Sequence, residues 1–205
     1  MNIIAVIPAR GGSKGIPRKN LRPMAGHPLI YYSIKACLEA KTISQVIVST
    51  DDDEIALFAM RFGAEVVMRP ETLGADDVTL DPVILHAVEA IECSEVIDVV
   101  VTVQPTSPLI TSEDIDDAMA LFQDEACDTV LSVVDDRHLC WTIKNGKPVA
   151  EYAERVNRQQ LPSSFKETGA IIACKKEVLN SGTRIGKSIQ LHEVEHENSF
   201  DIDTL

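Results

Sequence analysis

Residues 3–20 read Ile-Ile-Ala-Val-Ile-Pro-Ala-Arg-Gly-Gly-Ser-Lys-Gly-Ile-Pro-Arg-Lys-Asn. An apolar run of strand type empties into a loop of glycines and cations. Backbone N–H groups and basic side chains exposed together make a cradle for phosphate oxygens. Arg10, Gly11, Ser13, Lys14, Lys19 and Asn20 supply that cradle. The loop matches neither Gly-x-Gly-x-x-Gly nor Gly-x-x-x-x-Gly-Lys-Ser/Thr, so it is not a dinucleotide fingerprint or a P-loop. Its charge is local. The first 38 residues hold six basic and no acidic side chains, in a chain of net charge −13. The other 167 residues therefore sum to −19, which argues against nucleic acid or an anionic membrane as partner.

Two further clusters lie near the opposite end. Asp201 and Asp203 stand two residues apart, which in an extended segment puts both carboxylates on one side. Close like charges repel, so the pair wants a cation, and hard oxygen donors suit Mg²⁺. His192-Glu193-Val194-Glu195-His196 matches His-Glu-x-x-His, the zinc-protease signature. That motif works only on a helix, where both histidines share a face. Apolar Ile189 and Leu191 alternate with polar neighbours, a strand pattern that argues against a protease.

Elements must hold these groups in place. Apolar runs at Ile3–Ile7, Gln45–Ser49, Glu65–Met68, Val96–Val103 and Thr129–Val134 predict strands. Amphipathic stretches at Leu29–Ala40, Asp53–Phe62, Asp81–Glu92 and Ser112–Gln123 predict helices. Asp81 is placed as an N-cap with Pro82 as first helical residue, and Thr111-Ser112-Glu113-Asp114 resembles a capping box. This alternation implies an α/β fold, a mostly parallel sheet with helices on both faces. Ligands of such sheets sit beyond the carboxyl ends of the strands, where the basic loop lies. Later the pattern loosens. Trp141–Lys144 and Val149–Tyr152 around Asn145-Gly146 predict a hairpin, and Gly169–Cys174 returns to a strand. Residues 137–168 are read as an excursion from the sheet and a candidate oligomer contact.

The 205 residues predict one domain, 1–205, with room for a full core. No run of eighteen apolar residues suggests a membrane span, and no signal peptide is visible. Five cysteines without a Cys-x-x-Cys pair fit reduced thiols in a cytoplasmic protein.

Ala-Arg-Gly-Gly-Ser-Lys-Gly-Ile-Pro-Arg-Lys-Asn-Leu closely resembles the opening of the acylneuraminate cytidylyltransferases, the CMP-sialic acid synthetases. Six more blocks resemble that family in order. They are Val-Ser-Thr-Asp-Asp (48–52), Arg-Pro-Glu-Thr-Leu (69–73), Gln-Pro-Thr-Ser-Pro-Leu (104–109), Arg-Gln-Gln-Leu-Pro (158–162), Thr-Gly-Ala-Ile (168–171) and Phe-Asp-Ile-Asp-Thr (200–204). The resemblance implies a Rossmann-like nucleotide-diphospho-sugar transferase fold and a homodimer built partly through the excursion. It implies Mg²⁺-dependent condensation of CTP with a nine-carbon 2-keto sugar acid, releasing pyrophosphate. Arg10, Ser13, Lys14 and Lys19 would then bind the triphosphate, Asn20 the ribose and Arg69 the cytosine. Asp201 and Asp203 would hold the metal, and Arg10, Lys19 and the two aspartates would carry the catalysis. Gln104, Arg158 and Lys166 would serve the sugar acid, with arginine suited to its carboxylate.

The sugar pocket departs from the sialate pattern at Leu80, Ile172 and Arg184-Ile185-Gly186. Related nonulosonates such as legionaminate and pseudaminate are therefore open as substrates. A synthetase for the eight-carbon acid Kdo is the nearer rival, and a catalytically silent nucleotide-binding protein a more distant one.

Overall fold

The computed structural model describes residues 1–13, 15–75, 77–91 and 96–203. Lys14 and Cys93 lie outside the described residues.

Among the described residues, eleven strands and five helices follow in chain order. They are β1 (Ile3–Pro8), β2 (Pro23–Met24), β3 (His27–Pro28), α1 (Ile30–Glu39), β4 (Gln45–Thr50), α2 (Asp53–Arg61), β5 (Glu65–Met68) and α3 (Leu80–Ile91), then β6 (Val99–Val103), α4 (Ser112–Ala120), β7 (Thr129–Asp135), β8 (Trp141–Lys144), β9 (Lys147–Ala150), β10 (Phe165–Lys175), α5 (Lys176–Asn180) and β11 (Ile189–Glu193). Seven strands form one sheet in the order β11-β7-β10-β6-β1-β4-β5. Only β10 runs antiparallel to its neighbours, β6 and β7. The expected mostly parallel sheet is therefore present.

Both faces are covered, which is why the central strands are apolar without alternation. On one face Ala5, Ile7, Val48 and Val101 pack with Ile34 and Cys37 of α1 and Ile115 and Met119 of α4. On the other, Ile4, Val6, Ile47 and Val100 pack with Ile84 and Val88 of α3 and Leu179 of α5. After β5 the chain crosses back over the sheet to β6, on the other side of β1. The loops after β1, β5 and β6 therefore meet at one sheet edge, the switch point where such folds bind ligands.

Several expected boundaries move. Asp81 does not cap α3, because the helix already includes Leu80 and the Asp81 carboxylate accepts from Arg184 Nε at 2.6 Å instead. β6 begins at Val99 rather than Val96, which is 82% exposed and precedes the sheet. The hairpin turns at Asn145 and Gly146, both with positive φ (52° and 74°). A two-residue turn puts Lys147 opposite Lys144, so the second hairpin strand is Lys147–Ala150 rather than Val149–Tyr152. β10 starts at Phe165 and pairs with Asp135 of β7. The sheet thereby takes back residues 165–168 from the excursion expected over 137–168.

α4 begins as expected. Thr111 accepts from the Asp114 N–H at 3.1 Å while the Asp114 carboxylate accepts from the Thr111 N–H at 2.9 Å. Thr111→Ala removes that cap and should lower stability by about 1 kcal/mol. A urea titration should show a lower midpoint at unchanged slope.

Candidate active site

The loop after β1 is built on carboxylates. The Ala9 N–H donates to the Ser49 carbonyl at 2.9 Å, continuing the β1–β4 pairing by one step. The Gly11 N–H donates to Asp51 Oδ1 at 2.9 Å. A Cβ on Gly11 would lie 2.5 Å from Asp52 Oδ2 and 2.9 Å from Asp52 Cβ, so only glycine allows this approach. Asp52 also caps α2, its Oδ1 accepting from the Glu54 and Ile55 N–H groups at 3.0 Å each. Its Oδ2 accepts from Arg18 Nη1 at 2.6 Å, and Arg18 Nη2 pairs with Glu54. Arg18 holds a left-handed φ of 57° under this anchorage.

The far end of the chain closes on the same loop. Lys19 Nζ donates to the Ile202 carbonyl and to Asp203 Oδ1, both at 3.0 Å. The Ile202 N–H donates to the Thr106 carbonyl at 2.8 Å, tying the tail to the loop after β6. Gly15 lies beneath it, where a Cβ would come 2.4 Å from the Asp203 carbonyl oxygen. Residues 201–203 are not a strand, but their two carboxyl groups still come within hydrogen-bonding reach of one another. Burial pushes Asp201 up, the neighbouring Asp203 charge adds to this, and a hydrogen bond from Thr106 opposes it. The Lys19 ammonium holds Asp203 below the usual carboxylate range.

Between these parts lies a cleft of about 280 Å³. Arg10, Lys19, Asn20, Arg69, Gln104 and Asp203 all line it, so six expected residues meet there. Arg69 has a side chain only 3% exposed, with Nη2 3.7 Å from Asp51 Oδ1. Its buried Nε–H has no partner among the described residues. A guanidinium N–H withheld from water and unpaired is costly, which marks it as a group awaiting an acceptor. Gln104 donates from Nε2 to the Gly169 carbonyl at 2.8 Å. Gly169 permits this with a φ of +71° at the irregularity in β10.

Not every expected group faces the cleft. The Gly11 N–H faces Asp51 rather than the cleft. Asn20 Nδ2 staples the Arg10 carbonyl at 2.9 Å, so half of its amide serves the loop itself. Ser13 is half-buried and outside the cleft lining, and Asp201 adjoins it through Asp203. Arg158 and Lys166 do not line the cleft. Arg158 is exposed on the excursion, 3.5 Å from the Asp135 carbonyl, and Lys166 is exposed on β10 opposite Val134. A larger hollow of about 570 Å³ lies wholly within the excursion, between His138, Tyr152 and Leu161. The residues that the sequence left without a role are Asp51, Asp52 and Thr106. Two adjacent aspartates at a strand's carboxyl end, just before a helix, were their visible signal.

The protease alternative fails on geometry. His192 lies in β11, paired in parallel with Ser132, while His196 lies in a separate 3-10 turn. Nor do the described residues hold a cluster of three or more metal-ligating side chains. Burial pushes the Cys174 thiol up to about 12, and that of Cys37 higher still, which leaves both inert as nucleophiles.

The cytidylyltransferase family matches residues 4–204. The chain belongs to this cytidylyltransferase family. It is 33% identical to N-acylneuraminate cytidylyltransferase A of Danio rerio, over 98% of this chain and 48% of that protein. It is 36% identical to pseudaminic acid cytidylyltransferase of Campylobacter jejuni, over 55% of this chain and 50% of that protein. The chain thus spans about half the length of these curated relatives. Among solved structures, a CMP:2-keto-3-deoxy-manno-octonic acid synthetase complexed with CTP superposes with a TM-score of 0.75. That match covers 100% of this chain and 94% of the other at 20% identity, a likeness of fold. No helix among the described residues is long and apolar enough to cross a membrane.

The carboxylate pair gives a direct test within this family site. Carbonyl-detected NMR should show Asp203 losing its proton first and Asp201 titrating above the usual aspartate range. Lys19→Met should raise the Asp203 titration. A normal, independent titration of both groups would show that they are not paired.

Proposed function

We propose that the chain transfers CMP from CTP to the 2-hydroxyl of a nonulosonic sugar acid and releases pyrophosphate. The observation that carries this reading is the convergence of Arg10, Lys19, Arg69 and Gln104 on one cleft whose rim is Asp203. In the reaction the sugar's 2-hydroxyl gives up its proton to solvent as its oxygen bonds to the α-phosphorus. The bond from that phosphorus to its bridging oxygen breaks, and pyrophosphate leaves with the charge. Arg10 and Lys19, with Lys14 from the same loop, hold the phosphate oxygens and stabilise the leaving group. Lys19 exchanges Asp203 for phosphate as the nucleotide enters. Arg69 presents its unpartnered Nε–H to the acceptor edge of cytosine, which the equivalent edge of uracil, carrying an N–H, does not match.

Mg²⁺ belongs to this reading. Asp201 and Asp203 are hard donors within reach of each other, and two carboxylates suit an ion that keeps waters and substrate phosphates as its other ligands. Bound there, the ion would neutralise phosphate charge. The sugar acid falls to Gln104, with Arg158 and Lys166 assigned through the family resemblance. Leu80 gives the cleft an apolar wall and Ile172 lies on the neighbouring β10, which favours a nonulosonate other than N-acetylneuraminate. A homodimer through the excursion is supported by its exposed Trp141 (58%) and Ile143 (68%) on a two-stranded ribbon, an element marginal by itself. We place the protein in the cytoplasm, where CTP is made, and read residues 1–205 as one domain.

Incubation with CTP, Mg²⁺ and a panel of N-acetylneuraminate, legionaminate, pseudaminate and Kdo tests the proposal. Pyrophosphate should appear with a nonulosonate. Release with Kdo alone would assign the rival synthetase, and CTP binding without release would make the protein catalytically silent. Asp203→Asn should cut turnover about 100-fold or more with the thermal midpoint little changed, as removal of a metal ligand does. Lys19→Ala should weaken CTP about 10- to 100-fold, the worth of a charge-assisted contact, yet weaken CMP little. Equal loss for both nucleotides would remove Lys19 from the distal phosphates.

A further inference from the structure

Asp51 has no role in the reading above, yet it touches both walls of the cleft. Its Oδ1 accepts from the Gly11 N–H at 2.9 Å and stands 3.7 Å from Arg69 Nη2. One oxygen thus serves the loop after β1 and the arginine after β5. Its Oδ2 is wedged against Gly74, where a Cβ would come within 2.5 Å. Arg69 and Gly74 line the cleft, whereas Asp51 does not. The backbone repeats the link, since the Arg69 N–H donates to the carbonyl of Thr50, the residue before Asp51, at 2.8 Å.

We infer that Asp51 is a positioning residue for nucleobase selection, fixing the Arg69 guanidinium relative to the phosphate loop so that base and polyphosphate are read at one spacing. The inference rests on the proposed assignment of Arg69 to the cytosine. Its physical content is simple. A buried guanidinium on a long side chain has several rotamers, and one carboxylate at ion-pair distance selects among them. Asp51 occupies one side of the fork and leaves the Nε–H to the ligand. Gly74 has no side chain because the same carboxylate fills that space.

Asp51→Asn preserves the shape and the acceptor for Gly11 but removes the charge facing Arg69. Asp51→Ala removes both. Calorimetric affinities for CTP, UTP and inorganic tripolyphosphate separate the effects. Asp51→Asn should weaken CTP about tenfold, narrow the CTP-over-UTP preference by the same factor and leave tripolyphosphate unchanged, in the range of coupled neighbouring sites. Asp51→Ala should also weaken tripolyphosphate. Combined with Arg69→Lys, Asp51→Asn should add almost nothing further. Equal weakening of all three ligands, or multiplicative losses in the double variant, would reduce Asp51 to loop packing and overturn the inference. If Arg69→Lys itself leaves the CTP-over-UTP preference intact, the assignment of Arg69 to the base is what fails. Should Asp51→Asn not fold, Asp51→Glu takes its place, since the displaced carboxylate must also narrow the preference; an undiminished preference would again overturn the inference.

Discussion

A cation from one end of the chain and a carboxylate from the other meet at a single contact. Lys19 Nζ and Asp203 Oδ1 are 3.0 Å apart across 184 positions of sequence. Lys19 is the group that needs the contact, because Asp203 keeps 72% of its side chain exposed. The lysine side chain is only 14% exposed, and Asp203 lies beside a second carboxyl group. The contact therefore holds the tail against the amino-terminal loop and stores two charges that a polyanion and its counterion can take over. In the proposed reaction phosphate replaces Asp203 on Lys19 as the nucleotide enters, so the Lys19 ammonium need not be bared to water at any stage. The same exchange explains why an acidic protein confines its positive excess to one loop.

Rigid support is what lets so few charges act in concert. The sheet brings the loops after β1, β5 and β6 to a common edge, and aspartates at the end of β4 bind the first two there. Asp52 spends one oxygen on the α2 cap and the other on Arg18, while its side chain occupies the space a Gly11 Cβ would need. Glycine in this loop thus answers a demand for close approach at Gly11 and again at Gly15 under Asp203. The loop's composition reflects crowding as much as affinity for phosphate.

Much of this was legible from residue types. Uninterrupted Val and Ile runs revealed strands buried on both faces, and Thr111 with Asp114 marked a helix start that the structure reproduces. Arg10, Lys19 and Asn20 of the basic loop and Asp203 of the carboxylate pair line one cleft with Arg69 and Gln104, the two residues to which the family resemblance had pointed. What local pattern could not show was partnership across the fold. Asp81 reads as a cap until Arg184, 103 residues away, takes its carboxylate. Asn20 reads as a ligand group alone until half of its amide is found on the Arg10 carbonyl. Gly11 reads as a phosphate donor until Asp51 accepts its N–H. Asp51 and Asp52 showed only as two aspartates between a strand and a helix, because their work is done through neighbours that only the folded chain supplies. Arg158 and Lys166 are the reverse case: suited by charge to a carboxylate, they stand outside the cleft of a single chain.

The central claim is that opposite charges from the two chain ends flank one nucleotide. A crystal structure with CTP and Mg²⁺ bound measures this most directly. The triphosphate should lie against Arg10 and Lys19, with the ion on Asp201 and Asp203 and Lys19 parted from Asp203. A nucleotide whose phosphates lie away from the loop after β1, or an ion held without those two aspartates, would contradict it.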